Sequence, residues 1–175
     1  MNNFEIIFEN IKRHDLNSII FKEICFDKQK IISSHFYDQI ENCDIEFGMI
    51  SSLEDFFAIP GTGNLYISEV DVGMSIRKVM IVISFDEIYG DVVLNFSESE
   101  LFQENMNINQ DCVFLIKKLQ SIVSIYDIGS ITVGYEPASD EDMQLVSFTK
   151  QGIKIFEDNF SSIMNDFKKV IYSVQ

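Results

Sequence analysis

The sequence Arg77-Lys78-Val79-Met80-Ile81-Val82-Ile83-Ser84-Phe85 decides the fold class. It is a nearly continuous run of β-branched and apolar residues, which is typical of a central strand buried on both faces. Because such a run has no solvent face, we expect Val79, Ile81 and Ile83 to lie in the core. The run therefore predicts a sheet in the middle of the chain.

Two more strands are expected beside this run. Leu65–Val72 alternates between its two faces, and Val92–Phe96 follows the turn Tyr89-Gly90-Asp91. Such short connections between strands favour an antiparallel meander. The cluster Ile59-Pro60-Gly61-Thr62-Gly63-Asn64 is predicted to be a turn, and it lacks the lysine that a phosphate-binding loop needs.

Outward from this middle, the periodicity of apolar residues changes. Helical spacing predicts helices over Phe4–Ile11, Leu16–Ile24, Lys28–Asn42, Gln110–Tyr126 and Phe160–Ile171. Further strands are expected over Asp44–Ile50, Ile131–Tyr135, Gln144–Phe148 and Gly152–Phe156. This order predicts an α+β fold, a central and mainly antiparallel sheet with flanking helices at both ends of the chain. With 175 residues, we expect one domain, 1–175.

The charge of the chain is its unusual feature. There are 28 acidic and 13 basic residues, which gives a net charge of −15. A field of this sign repels nucleic acid and anionic membranes, and it attracts basic proteins. Acidity also keeps an apolar protein in solution, so the charge alone leaves both interpretations open.

The acids are concentrated around the predicted sheet. Residues 61–111 hold nine acids and two bases, Arg77 and Lys78. Aromatic residues ringed by charge are typical of protein–protein hot spots, and Tyr89, Phe96 and Phe102 are interspersed with these acids. The candidate partner-binding residues are therefore those beside predicted turns and strand ends, namely Asp86, Glu87, Tyr89, Asp91, Glu98 and Glu100.

No set of residues with the spacing of a catalytic site is found. The two histidines, His14 and His35, have no Ser-His-Asp or HExxH partners. Three cysteines without CxxC spacing indicate buried free thiols and no zinc site; they are Cys25, Cys43 and Cys112. Acids near the Tyr89 turn could bind Ca²⁺ or Mg²⁺, but they lack the spacing of an EF-hand loop. We expect neither a metal nor a cofactor.

The chain resembles the immunity proteins of bacterial polymorphic-toxin and contact-dependent growth-inhibition systems. The resemblance rests on a small acidic domain rich in Ile, Asn, Phe and Lys, and on the acidic segment Ser84–Asp91. It also rests on a first segment that carries Glu5 and Glu9 where a signal peptide would carry basic residues, so we expect a cytoplasmic protein without a membrane segment.

The resemblance implies a non-enzymatic protein that binds a cognate basic toxin domain, often a nuclease, and covers its active or substrate-binding surface. Two alternatives remain from the residues themselves. One is another acidic adaptor or a nucleic-acid mimic, and the other is a metal-dependent enzyme that uses scattered carboxylates. The oligomeric state does not follow from the sequence.

Overall fold

A computed structural model describes residues 3–101, 108–160 and 165–174. Nine strands in these residues form one sheet in the order β3-β2-β4-β5-β6-β1-β7-β8-β9. All neighbouring pairs are antiparallel, which confirms the predicted antiparallel sheet. The strands are β1 Asn3–Lys12, β2 Ile31–Asp38, β3 Cys43–Ile45, β4 Gly61–Asp71, β5 Ser75–Phe85, β6 Tyr89–Ser97, β7 Ser130–Tyr135, β8 Gln144–Thr149 and β9 Gly152–Ile155.

The helices complete an α+β fold. A short helix α1, Leu16–Ser18, continues as a π-helix over Ile19–Glu23, and α2 covers Leu53–Phe56. The long helix α3, Ile108–Ile125, packs against α4, Asn165–Val174, and against β7 and β8. Its inner face buries an apolar stripe, Leu115, Ile116, Leu119, Ile122 and Val123, in the same core as the strands. The helix predicted over Gln110–Tyr126 is therefore confirmed.

Strand β5 occupies the predicted central position, between β4 and β6. Val79, Ile81 and Ile83 are fully buried, as expected. The prediction that both faces of the strand are buried is wrong, because Met80 on the opposite face is 37% exposed. The core therefore lies against one face of β5, and the other face is partly open.

The helix predicted over Phe4–Ile11 is wrong, because this segment forms β1. The pairing of β1 with β6 shifts between Phe8 and Ile11, where Asn10 has a left-handed φ of 56°. This bulge returns Ile11 to the buried face, three residues after Phe8 instead of two or four. A strand with a bulge therefore reproduced the spacing of a helix.

The helix predicted over Lys28–Asn42 is also wrong. A 3₁₀ turn at Lys28–Lys30 is followed by β2, which pairs with β4. Phe36 is fully buried, whereas Ile32 is 57% exposed. Pairing with β4 and the strand preference of β-branched residues together override the helical spacing. The strand predicted over Asp44–Ile50 is shorter than expected, and a 3₁₀ turn at Phe47–Met49 follows it.

Two further predictions need correction. Gly61–Asn64 is the beginning of β4 and not a turn. Cys112 is buried as expected, and its burial raises the pKa of the thiol to about 12. Cys25 and Cys43 are exposed, since the first follows the π-helix with a left-handed φ and the second lies on the short edge strand β3.

The strands β7, β8 and β9 agree with the prediction. Of the helix predicted over Phe160–Ile171, residues 161–164 lie outside the described residues.

Candidate protein-binding site

One end of the sheet gathers most of the candidate residues. The pairs Gly61–Phe85 and Phe85–Gly90 place the start of β4, the end of β5 and the start of β6 side by side. Ile11 of β1 pairs with Gly90 at the same level. Strand β2 ends here as well, since Phe36 is opposite Gly63. We call this end, formed by residues 11–15, 38–61 and 85–91, the turn end.

The turn end contains four of the six predicted partner-binding residues. Asp86 and Glu87 lie in the β5–β6 turn, and Tyr89 and Asp91 lie in the first three residues of β6. The other two residues, Glu98 and Glu100, follow the far end of β6. The nine residues of β6 separate the groups by roughly 26 Å, since a strand advances about 3.3 Å per residue. The six residues therefore do not form one surface patch.

Two of the acids at the turn end also shape the backbone. Asp86 Oδ1 accepts hydrogen bonds from the backbone N–H groups of Ile88 and Tyr89, each at 2.8 Å. These bonds stabilise the carboxylate and lower the pKa of Asp86 below its ordinary value. Asp91 Oδ1 accepts from the backbone N–H of Asn10 at 2.8 Å, across the β1 bulge. Both carboxylates stay exposed while they fix the turn and the bulge.

The residues at the opposite end have partners within the chain. Glu98 accepts a hydrogen bond of 2.8 Å from the Tyr135 hydroxyl. Glu100 is only 8% exposed, and its carboxylate lies 3.3 Å from Arg77 Nε and 3.8 Å from Lys78 Nζ. Phe96 is buried and packs against the ring of Phe4, so it does not reach a partner. The candidate anchor Phe102 lies outside the described residues.

Sequence reasoning missed a group of acids that the fold adds to the turn end. Asp38 and Glu41 lie at the β2–β3 connection, and Glu54 and Asp55 lie on α2. The signal was present in the sequence, because no lysine or arginine occurs from Ile31 to Ile76 while eight acids do. The helix that apolar spacing predicts over Lys28–Asn42 does not place these acids beside the β5–β6 turn.

The turn end has few cations, and Lys12 and Arg13 already have partners within the chain. Glu54 and Glu87 line one shallow depression together with Lys12, Arg13 and His14. Lys12 forms an ion pair with Asp127, which also accepts from Lys150 at 3.0 Å, and the two cations lower the pKa of Asp127 to about 2. Arg13 donates to the backbone oxygen of Phe57 at 3.2 Å. The acids in the β2–β3 connection and on α2 have no lysine or arginine within 4.0 Å among the described residues.

Large apolar side chains stand among these acids. Ile40 is 76% exposed, Met49 72% and Ile88 61%. Tyr89 is 41% exposed and presents a ring with a polar hydroxyl. Exposed apolar groups surrounded by charge are typical of binding surfaces, because the apolar groups gain from burial and the charges select the partner. The turn end therefore has the composition of an interface for a cationic protein.

The residues that the structure describes contain no group of three or more His, Cys, Asp or Glu side chains able to hold a metal ion. His35 lies 3.7 Å from Asp44, and both side chains are exposed. Over the same residues, no helix combines the length and the apolar character that crossing a bilayer requires.

Comparison with known proteins identifies the family of the chain. One chain of the 1.75 Å crystal structure of the toxic C-terminal tip of CdiA from Pseudomonas aeruginosa, in complex with an immune protein, has a similar fold. The TM-score is 0.59 and the identity 20%, over 83% of this chain and 94% of that chain. A search of curated proteins finds no match. The family model of the PABL017 Cdi1I immunity protein matches residues 2–151, which confirms the resemblance to immunity proteins. The chain belongs to the Cdi1I immunity protein family.

Proposed function

We propose that this immunity protein acts in the cytoplasm and neutralises its cognate toxin domain by docking the turn end onto a basic surface of that domain. The observation that supports the proposal is the convergence of ten exposed or half-exposed acids with Ile40, Met49, Ile88 and Tyr89 at one end of the sheet. The ten acids are Asp15, Asp38, Glu41, Asp44, Glu46, Glu54, Asp55, Asp86, Glu87 and Asp91.

The physical basis is complementarity of charge and shape. A net charge of −15 steers a basic domain toward the protein, and the turn end concentrates this charge where apolar side chains can be buried. When the immunity protein occupies the basic surface of the toxin, it excludes a nucleic-acid substrate, because the immunity protein and the substrate compete for the same cations. The immunity protein needs no chemistry of its own to protect the cell.

The proposal is tested by expressing the cognate toxin domain in a sensitive cell, with and without the immunity protein. We expect the wild-type protein to restore growth and to co-purify with the toxin domain. If a folded and abundant immunity protein fails to restore growth, the proposed function is contradicted. Rescue by a variant that lacks the acids of the turn end would retain the function but place the interface elsewhere.

A further inference from the structure

The turn end contains a groove that the proposed function does not by itself explain. It lies between the β2–β3 connection and the segment from Met49 to Ile59, and its volume is about 310 Å³. Ile45, Ile50 and Phe56 line it and pack against the core, whereas Ile40, Met49 and Ile59 line it with large exposed fractions. The groove therefore has an anchored apolar floor and an exposed apolar rim.

The polar groups of the groove have one sign of charge. Asp38 and Asp55 are among its lining residues, and the lining contains no lysine, arginine or histidine. The contacts of Asp38 are backbone N–H groups, those of Ile40 at 2.8 Å and Glu41 at 3.1 Å, both to Oδ1. Among the described residues, the Asp55 carboxylate has no ion-pair partner within 4.0 Å. The groove thus presents negative charge that the chain itself does not neutralise.

We propose that this groove receives one long cationic side chain, arginine or lysine, from an apolar segment of the cognate toxin domain. Such a side chain has an aliphatic stem for the floor and a charged head for the two aspartates. The flanking apolar residues of the same segment would cover Ile40 and Met49. The groove, at about 310 Å³, lies at the lower end of the range of ligand pockets, about 300–1,000 Å³. This inference rests on the proposed function, and it specifies the chemistry of the central contact.

The first test places a cation in the groove. Met49→Lys changes a residue that is 72% exposed, so the fold should be kept, and Met143→Lys is a matched control that is 40% exposed near the start of β8. We expect Met49→Lys to weaken toxin binding by about 100-fold. The new lysine would repel the toxin cation where that cation and the two aspartates lose water on binding. Met143→Lys should change the dissociation constant by less than about threefold, as is usual for an exposed charge outside the interface. Equal affinities of the two variants would overturn the inference.

The second test identifies the inserted side chain. Each lysine and arginine of the toxin domain is changed to alanine, and binding is measured to the wild-type protein and to the isosteric variant Asp38→Asn with Asp55→Asn. We expect one toxin residue whose loss weakens binding by about tenfold or more to the wild-type protein and has little further effect on the variant. If every toxin substitution weakens binding equally to the wild-type protein and to the double asparagine variant, the groove does not hold a cation.

The two proposals fail in different ways. Wild-type protein that neither binds nor neutralises the toxin domain contradicts the proposed function. Wild-type protein that does both, while Met49→Lys does so equally well, contradicts only the groove. Circular dichroism of each variant checks whether a loss of binding arises from unfolding.

Discussion

The ring of Phe36 on β2 lies directly against the backbone of Gly63 on β4. A Cβ atom at Gly63 would be 2.1 Å from Phe36 Cδ1 and 2.2 Å from Cε1, well inside any van der Waals contact. The rings of Phe47, Phe56 and Phe57 also contact Phe36, with centroids 5.7–6.3 Å from the centroid of its ring. Phe36 therefore joins the sheet to the segment that forms the groove, and Gly63 is the residue that leaves space for it.

We expect Gly63→Ala to destabilise the protein by about 1–3 kcal/mol, because Phe36 must move within a packed cluster. Gly48→Ala is the control, since a Cβ there meets nothing within 4 Å, and it should change stability by less than about 0.5 kcal/mol. Urea unfolding measures both. Combination with Phe36→Leu should cost less than the sum of the single changes, and strict additivity would show that the contact is not tight.

Ile81→Ala should cost about 2–5 kcal/mol, because Ile81 is fully buried in the central strand. Met80→Ala, the adjacent residue on the partly open face, should cost clearly less. Thermal or denaturant unfolding of both variants gives the difference. Similar losses for the two residues would mean that the faces of β5 have been assigned wrongly.

Removal of exposed charge at the turn end should slow the association with the toxin domain. Glu41→Gln, Asp55→Asn and Glu87→Gln change three exposed residues together without removing the caps that Asp38 and Asp86 provide. The matched control is Asp140→Asn, Asp142→Asn and Asp158→Asn, three exposed acids at the opposite end of the sheet. Stopped-flow binding over a range of salt concentrations should show a lower rate and a weaker salt dependence for the first variant only. Equal salt slopes would place the interface elsewhere.

The ionised form of Glu23 should stabilise the fold at pH values above the range in which a glutamate ordinarily titrates. Burial tends to raise its pKa, but hydrogen bonds from Lys118 at 2.5 Å and from the Tyr126 hydroxyl at 2.8 Å outweigh burial and lower the pKa below its ordinary value. A lowered pKa means that the native state favours the carboxylate, so this contribution is present above the unfolded pKa and is lost as the pH falls through the folded one.

Glu23→Gln should therefore cost about 1–3 kcal/mol near pH 7, as expected for a hydrogen bond to a charged group. The difference between wild type and variant should shrink on acidification below about pH 4. Unfolding in urea across this range provides the measurement. A difference that is constant with pH would show that the charge of Glu23 does not contribute. Glu41→Gln, which changes an exposed acid in the β2–β3 connection, is a control for the general effect of removing an acid.

The sequence determined what depends on local pattern and on total charge. The apolar run of β5 is long and rich in β-branched residues, which favours a core strand, and the stripe of α3 repeats at helical spacing from Leu115 to Val123. The excess of acids, which is compatible with a basic partner, is a property of composition and needs no coordinates. The position of Asp86 and Glu87 in a turn follows from the sequence, because a charged turn between two strands is a local feature.

The tertiary structure alone decided how these parts meet. Asn10 sets a bulge that gives β1 the spacing of a helix, and only the pairing with β6 reveals it. Strand β2 forms because β4 supplies hydrogen-bond partners and because Gly63 leaves room for Phe36. That pairing brings Asp38 and Asp55 to one groove, whereas the length of β6 carries Glu98 and Glu100 to the opposite end. Strand pairing joins residues distant in the chain, so a site built across several strands has no local signature that a single sequence displays.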